Sequence, residues 1–183
     1  MSRADATKAR ILRAATEEFA RFGIAGARVD RIAKSAAANK NLIYIYFCSK
    51  DQLFDAVFDA HVTQGLGSVP FTPDDLPEYA GRLFDYCTAH PDVVRLSTWY
   101  RLERAEQNPG SPARDAELAA LAAVRKTNDL GADFSNSALL TLVQSIALAW
   151  NPSGVVGISA AETAAETIED RRGAVVEAVR RLL

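Results

Sequence analysis

Apolar residues recur every three or four positions along almost the whole chain, and nowhere do they alternate. The first stripe is Lys8, Ile11, Leu12, Ala15, Phe19 and Phe22, with Arg10, Arg13, Glu17 and Arg21 on other faces. That spacing predicts an amphipathic helix, ended by Gly23, because glycine accepts the left-handed backbone that terminates helices. A short helix is predicted from about Val29 to Ala36, with Val29, Ile32, Ala33 and Ala36 inward. After a brief break at Ala37–Ala38, Asn39 is a good N-cap for a third helix that runs to Phe47. Its inward residues are Ile43 and Phe47, four apart.

Ser49-Lys50-Asp51-Gln52 reads as a capping box opening a fourth helix with Leu53, Phe54, Val57, Phe58 and Val62 as its stripe. Glycine and proline punctuate residues 65–73, the best candidate boundary. Thr72-Pro73-Asp74-Asp75 then reads as cap, first-turn proline and acidic first turn. The helix that follows carries Leu76, Tyr79, Ala80, Leu83, Phe84 and Cys87, and His90-Pro91 ends it. Further helices are predicted through Val94–Leu102, through Leu118–Leu130 after a Pro-Gly loop at 108–112, and from Ser135 or Asn136 onward. From Leu139 to Trp150 that last one is apolar nearly all round, which requires cover on most sides. Ser159 and Glu162 form a second candidate capping box before a final helix with Ile168, Val175, Val176, Val179, Leu182 and Leu183. The expected fold class is all-α.

A length of 183 residues allows one or two small domains. With 49% hydrophobic and 24% charged residues the composition is that of a folded globular chain, not a disordered one. The net charge of −2 hides a segregation: residues 1–50 hold ten Lys/Arg against four Asp/Glu, and the rest holds eleven against nineteen. A basic head on an acidic body suits contact with a polyanion; chance segregation of solvated charge is the other reading. Cys48 and Cys87 do not form a close-spaced pair, and His61 and His90 stand apart, so neither a structural metal site nor a disulfide framework is expected. The start MSRADATKAR lacks the apolar stretch of a secretory leader, and no apolar run has membrane length. A reducing cytoplasm is the expected location.

The residues with chemistry to offer cluster at 28–50. Two short helices joined by a tight break, the second displaying Lys40, Asn41, Leu42, Tyr44, Ile45 and Tyr46 away from Ile43 and Phe47, have the layout of a helix-turn-helix. Lysine and asparagine can bond base edges, and Leu42 can touch a thymine methyl. Tyrosine hydroxyls suit phosphate oxygens. Lys50, in the first turn of the next helix, could hold a phosphate with that helix's free N–H groups. The bland alternative for Tyr44 and Tyr46 is core packing, and for Lys40 a solvated charge.

Ile11-Leu12-Arg13-Ala14-Ala15, Phe19, Gly23, Val29-x-x-Ile32-Ala33 and Ile43-Tyr44-x-Tyr46-Phe47-x-Ser49-Lys50-Asp51-x-Leu53 resemble the N-terminal domain of the TetR (tetracycline repressor) family. The stretch His90-Pro91-x-Val93-Val94-Arg95-Leu96-x-Thr98-Trp99-x-Arg101-Leu102-Glu103 is similar to one C-terminal branch of that family. The resemblance implies a helix-turn-helix domain over residues 1–48, a connecting helix over 49–66, and a helical ligand-binding and dimerisation domain over 67–183. It implies a homodimer on double-stranded, inverted-repeat operator DNA, released by a small-molecule effector. It places Lys40, Asn41, Leu42 and Tyr44 at base- or groove-contacting positions and Tyr46 and Lys50 at phosphate-contacting ones.

Two positions depart from the family pattern. Arg28 stands where threonine usually caps the second helix, and could add a phosphate contact instead. The turn reads Ala36-Ala37-Ala38 rather than Ala-Gly-Val, so a positive φ at Ala37 would be strained.

Candidate effector contacts are Tyr79, Phe84, Arg95, Trp99 and Tyr100, with Tyr86 as a further aromatic; aromatics at helical spacing are more often core. Candidate dimer residues are Leu139, Val143, Ile146, Trp150, Val175 and Val179. No cofactor, metal, membrane or catalytic role is expected: there is no nucleophile–base motif, phosphate-cradling glycine loop or metal-ligand spacing. A helical protein-interaction module without DNA binding is the remaining alternative.

Overall fold

A computed structural model of the chain describes residues 3–104, 112–127, 130, 133–151 and 164–183. Every regular element among them is helical. In chain order they are α1 (Arg3–Gly26), α2 (Val29–Ser35), α3 (Lys40–Phe47), α4 (Lys50–Phe58), α5 (Leu76–Ala89), α6 (Pro91–Glu103), α7 (Pro112–Arg125), α8 (Asn136–Ala147) and α9 (Ile168–Leu182). After α4 the chain continues through a π-helical turn at Asp59–Thr63 and a short turn at Gln64–Gly67.

Two compact units result. The first, the head, comprises Met1–Leu66 and Asp92–Asn108; the second, the body, comprises Gly67–Pro91 and Pro109–Leu183. The head packs α2, α3, α4 and α6 with α1. Its interior holds Ile11, Ala15, Phe19, Ile32, Ile43, Phe47, Leu53, Phe54, Val57 and Leu96, all buried. Phe19 meets Phe54 edge-on at 5.1 Å, and Tyr100 of α6 stacks on Phe58 of α4 at 4.1 Å. Offset and edge-on ring pairs of this kind each add to plain area burial.

The body packs α5 and α9 closely. Gly81 permits it: a Cβ there would lie 3.0 Å from both the Arg172 guanidinium and Val176 Cγ2. Arg172 bridges Glu78 (2.7 Å) and Asp85 (2.8 Å) on α5. Leu121 of α7, Leu139, Leu140 and Val143 of α8, and Val175 and Val179 of α9 are fully buried.

Caps fall where polar side chains reach orphan N–H groups. Asn39 accepts from Asn41 N, Ser49 from Gln52 N, and Ser135 from Ala138 N. Three expectations need correction. The helix expected to begin at Thr72-Pro73 begins at Leu76, capped by Asp75, which accepts from Glu78 N at 3.2 Å. Pro77, lacking an N–H, suits that first turn, and Thr72 to Asp75 close a turn instead. The helix expected to reach Leu130 ends at Arg125, whose guanidinium turns to Asn136 and the Phe134 carbonyl. The apolar run to Trp150 is helical only to Ala147. The candidate box at Ser159–Glu162 lies outside the described residues; the capping box of the last helix is Thr167 with Asp170.

Candidate nucleic-acid interface

Helix α3 is short and lies between two caps. Ile43 and Phe47 anchor it in the head's interior. Opposite them Asn41, Tyr44, Ile45 and Cys48 are exposed, and positions spaced by three and four share one face. Ile45 is 70% and Tyr44 42% accessible, so this face is neither core nor a solvated charged surface. Leu42 and Tyr46 flank it half-buried, with Tyr46 lying 6.3 Å from the Phe47 ring. Lys40 is exposed and donates to Asp30 of α2 at 2.8 Å, a bond that raises its pKa.

The turn before α3 is tight. Ala37 has φ 46°, so the strain expected of a non-glycine residue there is present. Ala38 N–H donates to Ala33 O at 3.0 Å, and Arg10 of α1 donates to Ala36 O at 3.2 Å. α3 ends at Cys48, whose φ of 59° breaks the helical course.

Arg28, the exposed N-cap of α2, makes no side-chain cap. Glu18 compensates from α1. Its Oε1 accepts from Arg28 N (2.8 Å) and from Arg31 Nε (2.7 Å), and Glu18 is itself buried. At the break in α1, Gly23 has φ 69°. Ile24 N and Ala25 N there donate to the two carboxylate oxygens of Glu103, each at 2.9 Å. Trp99 Nε1 donates to Ala20 O (3.3 Å), and Lys50 Nζ lies 3.4 Å from both Ala25 O and Ala27 O. Arg104 ties α6 to α4 through Asp51 and Asp55. Sequence reasoning missed Glu18 and Glu103. The only signal for Glu18 was an acid on an otherwise inward face of α1.

The five candidate effector residues fall in two units. Tyr79 and Phe84 are buried in the body. Trp99 and Tyr100 pack within the head, and Arg95 is exposed. In the body Tyr79 joins a polar group that sequence reasoning did not find. Gln144 Nε2 donates to Tyr79 Oη (3.3 Å) and Glu117 Oε2 (3.1 Å), while Arg114 donates to Gln144 Oε1 (2.9 Å). Burial pushes the Tyr79 hydroxyl up to about 12 and raises the Glu117 carboxyl. Arg114 and Glu117 share the stripe of the buried Leu121, the pattern that could have revealed them.

Of the candidate dimer residues, Leu139, Val143, Val175 and Val179 have no surface left in the single chain. Ile146 is half-buried, and Trp150 meets Phe84 edge-on at 6.4 Å. The exposed large apolar residues of α8 and α9 are Leu142 and Ile168.

A cap, a short brace helix, a tight turn and an outward-facing second helix define a helix-turn-helix protein. Residues 11–57 match the family described as bacterial regulatory proteins, tetR family, and residues 75–181 match the tetracyclin repressor-like C-terminal domain. The HTH-type transcriptional repressor SCO4008 of Streptomyces coelicolor is 52% identical over 99 residues, 54% of this chain and 52% of that protein. The HTH-type transcriptional repressor NicS of Pseudomonas putida is 35% identical over 101 residues, 51% and 47% respectively. The chain thus matches about half the length of these curated relatives. The crystal structure of SCO4942 from Streptomyces coelicolor superposes with a TM-score of 0.87 at 40% identity, covering 96% of this chain and 97% of that one. The chain belongs to the TetR family. Among the described residues, no helix is long and apolar enough to cross a membrane.

Proposed function

We propose that this chain is a sequence-specific transcriptional repressor that binds an inverted-repeat operator as a homodimer and leaves it when a small molecule binds. The observation that carries the reading is the exposed stripe Asn41–Tyr44–Ile45, held outward by a core on the opposite face of the same helix. The basic excess in residues 1–50 and the repressor relatives support it. Lys40, Asn41, Leu42, Tyr44 and Ile45 face bases and Arg28, Tyr46 and Lys50 face phosphates; Lys40 leaves Asp30 because an exposed ion pair holds weakly, and Lys50 leaves its two long 3.4 Å contacts with the Ala25 and Ala27 carbonyls. The protein works in the cytoplasm, where its duplex is.

The effector site is in the body, where Tyr79 and Phe84 supply aromatic wall and Gln144, Glu117 and Arg114 supply hydrogen bonds that can exchange for ligand contacts. The dimer forms through the outer faces of α8 and α9, with Leu142 and Ile168 outward and the buried Leu139, Val143, Val175 and Val179 backing them. Effector acts by binding one spacing of the two reading helices better than the other.

A gel-shift titration with DNA flanking the gene, run across a salt series, tests this. Specific retardation that weakens steeply with salt is the expected result, because displaced counterions accompany each phosphate contact. Equal affinity for flanking and random DNA at every salt concentration would reject it.

A further inference from the structure

The chemistry of the stripe on α3 restricts what it can read. Guanine is read through its O6 and N7 acceptors by Arg or Lys, and cytosine through its N4 donor by Asp or Glu. Helix α3 contains no arginine and no acid, and its single lysine, Lys40, is its first residue, ahead of the stripe, so a base that Lys40 reads lies outside the pairs under Asn41, Tyr44 and Ile45. Of its asparagines and neighbours, Asn39 is engaged as the N-cap, accepting from Asn41 N at 2.9 Å. Asn41 remains on the exposed face, and its amide sets an NH2 donor beside a carbonyl acceptor, the pair that matches adenine N7 and N6. One turn on, at the positions three and four residues later, Ile45 presents apolar surface with 70% of its area uncovered, and Tyr44 presents an aromatic ring that carries its hydroxyl only at the tip. Among DNA bases only thymine offers an apolar group in the major groove, its 5-methyl.

We infer that the base pairs under this stripe are A·T pairs, read by Asn41 through the adenine edge and by Ile45 and Tyr44 through thymine methyls. The inference rests on the DNA-binding reading above and deepens it. Arg28 and Lys50 lie outside α3, and Lys50 is turned toward the Ala25 and Ala27 carbonyls, so neither changes the code of the stripe.

The test begins with the full chain and a duplex library randomised at its centre. Sequencing of the bound fraction gives the half-site. In the best duplex each half-site thymine is then replaced by deoxyuridine and each adenine by 7-deazaadenine. A·T pairs at the centre of each half-site are expected. Loss of one contacted methyl should weaken binding about fourfold, what removal of one buried carbon costs. Loss of the contacted adenine N7 should weaken it about tenfold. Ile45→Ala should bind the thymine duplex more weakly and become indifferent to the deoxyuridine replacement, a readout that a merely destabilised variant would not give. G·C pairs at those positions, or unchanged affinity for the deoxyuridine duplexes, would overturn the inference while leaving the repressor reading intact. A library in which no sequence is enriched would overturn both.

Discussion

Head and body anchor their charged side chains in different proportions, the head with more of them on backbone and the body with its main clusters among side chains. In the head several charged side chains hold backbone, alongside the ion pairs of Arg31 with Glu18, Lys40 with Asp30 and Arg104 with Asp51 and Asp55. Glu18 takes the Arg28 N–H, Glu103 takes Ile24 and Ala25 N–H, and Arg10 and Lys50 reach carbonyls at Ala36, Ala25 and Ala27. All three positive-φ residues among those described, Gly23, Ala37 and Cys48, lie in this unit. In the body the main clusters join side chains to one another, Arg172 with Glu78 and Asp85, and Arg114 with Gln144, which donates to Glu117 and Tyr79, while Arg125 also holds the Phe134 carbonyl. A side chain bound to a buried orphan backbone N–H has no ready substitute, because that donor must be satisfied away from water. A side chain bound to another side chain can trade partners. The head is thereby built to present α3 in one orientation, and the body to exchange contacts.

The largest test of this contrast is Gly23→Ala. The substitution puts a Cβ at φ 69°, 2.6 Å from Glu103 Oε1 and 2.8 Å from Trp99 Cε3. The head should lose about 2–4 kcal/mol, read by urea unfolding through the fluorescence of Trp99 in a Trp150→Phe background. Glu103→Ala comes next: it leaves the part-buried Ile24 N–H without its partner, which should cost about 1–3 kcal/mol, while the exposed Ala25 N–H turns to water. Glu78→Ala, which removes half of a partly exposed ion-pair network in the body, should cost under about 1 kcal/mol. Equal losses for the two glutamates would erase the distinction. Ala37→Gly works in the other direction, relieving the left-handed strain, and should stabilise the head by roughly 0.5–1 kcal/mol.

The smallest effect concerns the thiols. Burial pushes Cys87 in the body up to about 11, whereas Cys48 is exposed at the end of α3. Iodoacetamide at pH 8 should therefore add one label to the native protein, on Cys48, by mass spectrometry. Because the folded state holds the Cys87 proton more tightly, its contribution to stability is full below about pH 9 and is lost as pH rises toward 11.

Most of the head was legible because its signals are local. Asn39 and Ser49 are side-chain caps for helices that begin at the next residue, and Ile43 and Phe47 mark the inward face of α3 four residues apart. Periodicity says which face of a helix is apolar but not which element it meets. Nothing in the sequence around Glu103 shows that its partners lie 78 and 79 residues away along the chain. The Tyr79–Gln144–Glu117 group is hidden for the same reason. The start of α5 was misplaced because Thr72 and Asp75 are both good caps, and only the position of Pro77 in the first turn separates them. The π-turn at Asp59–Thr63 inserts a residue into a stripe that otherwise continues to Val62, and a regular period cannot reveal it.

On the reading proposed above, the outer face of α3 contacts bases while its inner face only supports it. The most direct measurement is the affinity of the triple variant Asn41→Ala, Tyr44→Ala, Ile45→Ala for the wild type's preferred duplex, paired with its thermal unfolding. These exposed positions carry little of the fold, so the melting midpoint should hold within a few degrees. Affinity for the preferred duplex should fall to that for random DNA. A folded triple variant that still prefers the same duplex as strongly as the wild type would contradict the claim.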